Sequence, residues 1–265
     1  NYIALGRLDD ARVEAGQIDL VLQAYHEHSP HAGYTQDAFA QYLSGMIYED
    51  LGGTSDAMIA YRKAYQAYSG TGSGYGRVVP AALQRDLLRR TGEMGLHDEQ
   101  GRYAREFHLD PDAGRVNPSQ GEVVFILSNG MVPIKRQQSV LVPNPRSGRL
   151  IRISLPYYQP RAPGVAYARL TAGGGHADTD VVENVAAIAM QNLREKMPAI
   201  TARAIARAAV KATITAQADQ RGDPLLGLAV NIAGIATEVA DTRSWLTLPS
   251  TIQMAQQIRP TRPVL

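Results

Sequence analysis

Downstream of Pro111, apolar and polar positions alternate with the two-residue period of strands that face a core on one side. Leu150 to Leu155 is the cleanest case, with Ile151, Ile153 and Leu155 on one face and Arg152 and Ser154 on the other. Glu122 to Leu127 reads as a strand ending in the hairpin signal Ser128-Asn129-Gly130. Val165 to Leu170 alternates again, ahead of the turn Gly173-Gly174-Gly175. Prolines at 133, 143, 145, 156, 160 and 163 confine the strand ends. Roughly three to five short antiparallel strands are expected. The period then becomes helical. Thr179 or Asp180 is expected to cap a helix carrying Val181, Val185, Ile188 and Asn192 on one face. Pro198 is expected to open a second helix, to about Asp219. Gly222-Asp223-Pro224 restarts a third, from Leu225 to about Ala240. Strands first and helices after predict an α+β domain over 115–265, an antiparallel sheet with three helices.

Residues 1–114 read as a helical repeat domain, because they carry an internal period. Gln41-Tyr42-Leu43-Ser44-Gly45-Met46-Ile47-Tyr48 runs on through Leu51-Gly52 to Ala57, Tyr61 and Ala64. Gly45, Tyr48, Gly52, Ala57, Tyr61 and Ala64 stand at the spacing of a tetratricopeptide repeat. Gly45 and Ala57 are the small residues where two helices cross, and Tyr48 and Tyr61 fill the groove around them. Leu5-Gly6 with Ala11 and Ala15 reads as the second helix of an earlier copy. Ala81 to Arg90 and Gly95 with Ala104 and Phe107 read as a degenerate later one. The glycines recur after 46 and 43 residues, more than the roughly 34 of the regular motif, so extended loops such as Ser69 to Gly76 are expected. The fold class predicted is therefore multidomain α and α+β: tetratricopeptide-like hairpins, then the sheet and helices.

Charge sharpens this division. Residues 1–114 hold 10 Lys and Arg against 16 Asp and Glu, a net of −6; residues 115–265 hold 17 against 9, a net of +8. Such a split steers one domain toward an acidic partner, one copy toward another, or simply neutralises the molecule. With no cysteine, disulfides, thiolate metal sites and cysteine nucleophiles are excluded within these residues. The longest uncharged apolar run, Leu225 to Thr237, is short of the roughly 20 residues of a membrane span. A helix there that is apolar nearly all round reads as a buried central helix, an oligomer contact or a membrane-dipping segment.

Candidate chemistry is sparse. His26, His28 and His31 do not share a helix face, and no metal site is expected. The glycines at 70–76 lack nucleotide-loop spacing, and neither G-x-S-x-G nor H-E-x-x-H occurs. No carboxylate pair stands out, basic residues are not interleaved with aromatics, and neither catalysis, a cofactor nor nucleic-acid binding is expected. Arg203, Arg207 and Lys211 form one row on a helix, suited to an acidic partner or to a solvated face. Asp241, Arg243 and Trp245 form a corner or a docking knob, with Asp and Arg able to pair beside the indole. The candidate partner contacts are Tyr48, Tyr61, Arg203, Arg207, Lys211 and Trp245.

Taken together, Gly45 to Ala64, Gly130-Met131-Val132-Pro133-Ile134-Lys135, Ile153-Ser154-Leu155-Pro156, Arg203 to Lys211 and Asp241 to Pro249 resemble a largely uncharacterised family of bacterial, repeat-containing cell-envelope lipoproteins. The resemblance covers nearly the whole chain. It implies export, a lipidated cysteine upstream of Asn1, and a place in the periplasm or at the outer membrane. It carries no catalytic residues. The expected function is a non-enzymatic scaffold or adaptor that binds envelope proteins or peptides through its helices. The alternative is a self-assembling subunit of a ring, fibre or surface layer, its partners being further copies of itself.

Overall fold

The computed structural model describes residues 2–28, 37–70, 78–117, 119–143, 148, 150–162, 164–172, 175–220 and 224–260. His31, the glycine run from 71 and the tip at 173–174 lie outside them. The protein is mixed α and β, and its sheets are antiparallel. It divides into two compact units that are not sequential: 1–130 with 163–188 and 249–265, and 131–162 with 189–248. The unit holding the N-terminal helices thus also holds strands from three later stretches of chain, where the sequence suggested a boundary at 114/115.

In the first unit, α1 (Leu8–His28), α2 (Ala38–Asp50), α3 (Thr54–Ser69), α4 (Ala81–Glu93) and α5 (His97–Phe107) follow one another. Asp37 caps α2 by accepting the Ala40 amide at 2.8 Å. The turns that join α2 to α3 and α4 to α5 pass through Gly52 (φ 77°) and Gly95 (φ 69°). Glycine enters this left-handed region without strain and lets the chain reverse at once. Between α2 and α3, Gly45 lies under the ring of Tyr61, where a methyl group would overlap it. Tyr42, Ala57, Tyr61, Ala64, Leu83, Leu87, Leu88 and Tyr103 build the core.

A three-stranded sheet completes that core. Its order is β1 (Gln120–Asn129), β7 (Thr251–Pro260), β6 (Asp180–Glu183). β1 pairs with β7 without a break, from Gln120↔Pro260 to Asn129↔Thr251. Met254 of β7 and Val182 of β6 are buried among the helical residues, and the Tyr68 hydroxyl donates to the Val182 carbonyl at 2.7 Å. β4 (Arg169–Ala172) and β5 (Gly175–Asp178) form a separate hairpin.

Three expectations are corrected, the last of them where the chain has passed into the second unit. Ser128-Asn129-Gly130 does not turn β1 back on itself. The Asn129 side chain is occupied by the backbone of Val165, and its carbonyl accepts from Ser250, so β1 finds its partner more than a hundred residues away. Thr179 and Asp180 do not cap a helix. The Thr179 hydroxyl accepts from the Ala168 amide and donates to Gln253, and β6 follows. Asn184 is the residue whose side chain accepts the Ala187 amide, and α6 (Val185–Gln220) begins after it. Pro198 opens nothing: α6 continues through it for 36 residues. Proline removes one intrahelical bond, and the helix formers on both sides of it carry the helix across.

The second unit contains the hairpin β2 (Ile134–Pro143) and β3 (Leu150–Gln159), most of α6, and α7 (Pro224–Ala236). Within 115–265 the described residues thus hold two helices, α6 and α7, where three were expected. α7 lies against β3, with Asn231 donating to the Leu150 carbonyl at 3.0 Å. The Ser154 hydroxyl donates to the Glu238 carbonyl, and Gln137 accepts the Ala240 amide. Segment 241–248 returns along the unit, where Leu248 accepts the Val132 amide. Contrary to a buried central helix, α7 is exposed along much of its length, Leu225 at 76% and Ile232 at 58%.

Candidate protein-binding groove

Leu83, Asp86, Leu87 and Arg90 stand at i, i+3, i+4 and i+7 on α4, so Asp86 occupies a core position of an apolar stripe. It is only 2% exposed and is held from three sides. The Tyr42 hydroxyl donates to it at 2.7 Å, Arg89 at 2.8 Å and Gln256 of β7 at 3.2 Å. Arg89 also reaches Glu49 of α2 through both terminal nitrogens, at 2.5 and 3.2 Å. Glu49 accepts in addition from the Tyr61 hydroxyl at 2.7 Å and pairs with Arg90 at 2.6 Å.

The electrostatics follow from this pairing. Burial raises Tyr42 well above the ordinary tyrosine value, and the Asp86 carboxylate adds to it. Burial raises Tyr61 likewise, with the Asp86 and Glu49 carboxylates reinforcing it. Burial would also raise Glu49, but its bonds from Arg89 and Tyr61 prevail and hold it below the usual carboxylate range. For Arg89 burial acts against the charge, and the Glu49 and Asp86 carboxylates outweigh it. These groups form a fixed set whose carboxylates are bonded on both oxygens. They position α2, α3, α4 and β7 relative to one another and offer no group placed to attack a substrate.

Beside the cluster lies a cavity of about 500 Å³. Leu8 of α1 and Leu43, Met46 and Ile47 of α2 form one wall; Glu122, Val124 and Ile126 of β1 form the other. The register explains the opening. Ile126 is opposite Met254 and Val124 opposite Gln256, so these four share one face of the sheet. At β7 that face is closed by the helical core, for Met254 is 3% exposed. At β1 the same face is open to the groove. Burial of the Glu122 carboxyl end, and then the Asp86 carboxylate, push that group up to about 7, although the residue as a whole is exposed.

The candidate partner contacts fall into both units. Tyr48 is half-buried against the α2–α3 core. Tyr61 is 1% exposed, so only its edge meets the groove. On α6, Arg207 and Lys211 converge on Glu238, at 3.1 and 2.7 Å, whereas Arg203 is exposed. Glu238 is 2% exposed; burial raises its carboxyl, and the Lys211 and Arg207 bonds hold it below the usual range. Trp245 is 72% exposed, its indole N–H on the Thr247 hydroxyl, and Arg243 donates two bonds to Asp241 at 3.0 Å each. Asp86, Arg89, Glu49 and Glu122 were not singled out in the sequence. The signal for Asp86 was there, a carboxylate standing within the Leu83–Leu87 stripe. No helix among the described residues is long and apolar enough to cross a membrane. Comparison of the chain with protein-family models, with curated proteins and with solved structures finds no significant match to any of them.

Proposed function

We propose that this protein is a non-enzymatic scaffold of the bacterial cell envelope, exported and tethered through a lipid-modified cysteine upstream. Its N-terminal helices act as tetratricopeptide-like hairpins that receive a segment of another envelope protein. One observation carries the binding role: Leu43 and Met46 of α2 face the open side of β1 across a groove of about 500 Å³ with apolar walls and charged residues beside them, a size and lining that suit a bound chain segment. The place in the envelope rests on the sequence resemblance. The fixed charge cluster at its floor supports it, because paired groups hold a binding surface rigid and lower the cost of ordering it. The test is site-specific photo-crosslinking in cells that make the protein. A photoreactive phenylalanine at Met46 is expected to yield one discrete adduct with another envelope protein, while the same probe at exposed Val13 of α1 yields none. No adduct at Met46, or the same adducts at both positions, would remove this reading.

A second reading, a self-assembling structural subunit, is favoured by the charge of the compact units. The first holds 14 Lys and Arg against 20 Asp and Glu, a net of −6, and the second 13 against 5, a net of +8. Opposite charges of this size on one chain suit head-to-tail contacts between copies.

A further inference from the structure

We propose that the groove takes up one extended segment of a partner protein as a fourth strand beside β1, with apolar residues at alternate positions turned toward α1 and α2 and a lysine or arginine near Glu122. This rests on the scaffold reading of the same groove and names the form and chemistry of what it binds.

Three observations lead there. The first is the edge itself. β1 is ten residues long, pairs with β7 on one side only, and has no further strand beside it among the described residues. Exposed sheet edges are ordinarily blunted by lysine, proline, a bulge or a short length. β1 has none of these: its register is unbroken, Glu122 is its single charged residue, and Val123, Val124, Phe125 and Ile126 are each 37–40% exposed. A row of unpaired backbone donors and acceptors with apolar flanks is the arrangement that strand addition uses.

The second observation is the helical wall. Leu8, Leu43 and Met46 line the same cavity as Val124 and Ile126. A strand added about 4.8 Å from β1 would turn every second side chain into that space. Such a strand completes a layer that the helices already overlie.

The third observation selects the occupant. A second copy's β1 could extend the sheet only by antiparallel pairing about a two-fold axis, which keeps the groove-facing sides of both strands on the same side. That copy would bring its own α1 and α2 over that same side, into the space the first copy's helices hold. A bare strand brings no such layer. Its charge follows from the rim, where Glu122 and Asp50 line the cavity while the one guanidinium among the described residues that line it, Arg90, is engaged by Glu49 and Glu93. Above about pH 7, where Glu122 is ionised, cationic residues are complementary to that rim, and the binding test is run there.

The test uses the intact chain and a fluorescein-labelled, end-capped synthetic peptide of ten residues, alternating valine and threonine between terminal lysines, read by fluorescence anisotropy. Saturable one-to-one binding is expected. It should weaken at least tenfold when alternate peptide nitrogens are methylated, when glutamate replaces the lysines, and in Met46→Glu. Equal binding of the methylated peptide would overturn strand addition, and equal binding of the glutamate peptide would overturn the cationic preference. If Met46→Glu fails to fold, hydrogen exchange on the native chain decides. The peptide should slow exchange within Gln120–Asn129, and unchanged exchange there sinks the proposal. If these experiments fail while the crosslink at Met46 persists, the groove is a scaffold site of another kind. If the crosslink is absent as well, the scaffold reading falls with it.

Discussion

At Glu122 the carboxyl end lies among Asp86, Glu49, Arg89 and Gln256, and its pKa stands near 7 against an ordinary 4.5. Between those two values the folded protein keeps a proton that the unfolded chain has already released. Stability therefore falls as pH rises through this window, and the loss is complete above the folded value. Glu49, held low, changes its contribution below the window and does not obscure it. Glu122→Gln cannot ionise and should abolish this slope. Because the residue is exposed, solvent screening reduces the effect far below the full linkage value, to about 1 kcal/mol. Urea unfolding at about pH 8 should show the variant more stable than the native chain by that amount, with the difference vanishing toward about pH 4. A native chain equally stable across the window would mean that Glu122 is not confined as the structure places it.

Among the elements, the row on α6 has a measurable consequence. Arg207 and Lys211 are 49% and 29% exposed, while the Glu238 side chain they share is 2% exposed. Removing both cations leaves a buried carboxylate without a counter-charge, whereas the cations themselves lose little. The double change Arg207→Ala with Lys211→Ala is expected to cost about 2–3 kcal/mol near neutral pH, toward the lower end for a broken buried pair because Arg207 is half in solvent. Glu238 is held low in the native protein. Its pairing thus stabilises above the unfolded carboxylate value and fades as pH falls through the folded one. The gap between native and variant should accordingly narrow on acidification, and a gap independent of pH would assign the loss to packing instead. The same elements show what the sequence discloses. The α2–α3 pair was legible because Gly45, Ala57 and Tyr61 must be small or large where two helices cross. β3 was legible as a strand from its alternation, but the side it buries is that of Ser154 and Pro156, with Ile151, Ile153 and Leu155 only half-buried, because the Ser154 hydroxyl is satisfied by the Glu238 carbonyl. β7 was not, because it buries residues on both faces and each face carries a glutamine, Gln253 bonded to Thr179 and Gln256 to Asp86, so no apolar period marks it. The groove was illegible for the same reason: half of it is β1, whose neighbour lies at the other end of the chain, and pairing over that distance leaves no local trace.

On the scale of the molecule, charge and apolar surface make separable forecasts. The units differ by 14 charges, −6 against +8, and α7 exposes Leu225, Leu226, Leu228 and Ile232 with no charged residue along its length. Attraction between unlike units of two copies decays with the Debye length, about 30 Å at 0.01 M salt and about 3 Å at 1 M. Burial of α7 against another copy would instead persist or strengthen as salt rises. Light scattering of the purified chain over a range of concentrations, at both salt levels, separates the cases. If charge drives assembly, mass should grow with concentration at low salt and return to that of one chain at high salt. Head-to-tail contacts of that kind do not close on themselves unless the rotation between copies allows it, so growth without a plateau points to a fibre and a plateau to a ring. A mass that survives high salt transfers the contact to α7, and Leu225→Gln with Ile232→Gln should then abolish it. A single chain under every condition would discard self-assembly and leave the groove of the first unit as the surface through which this protein meets others.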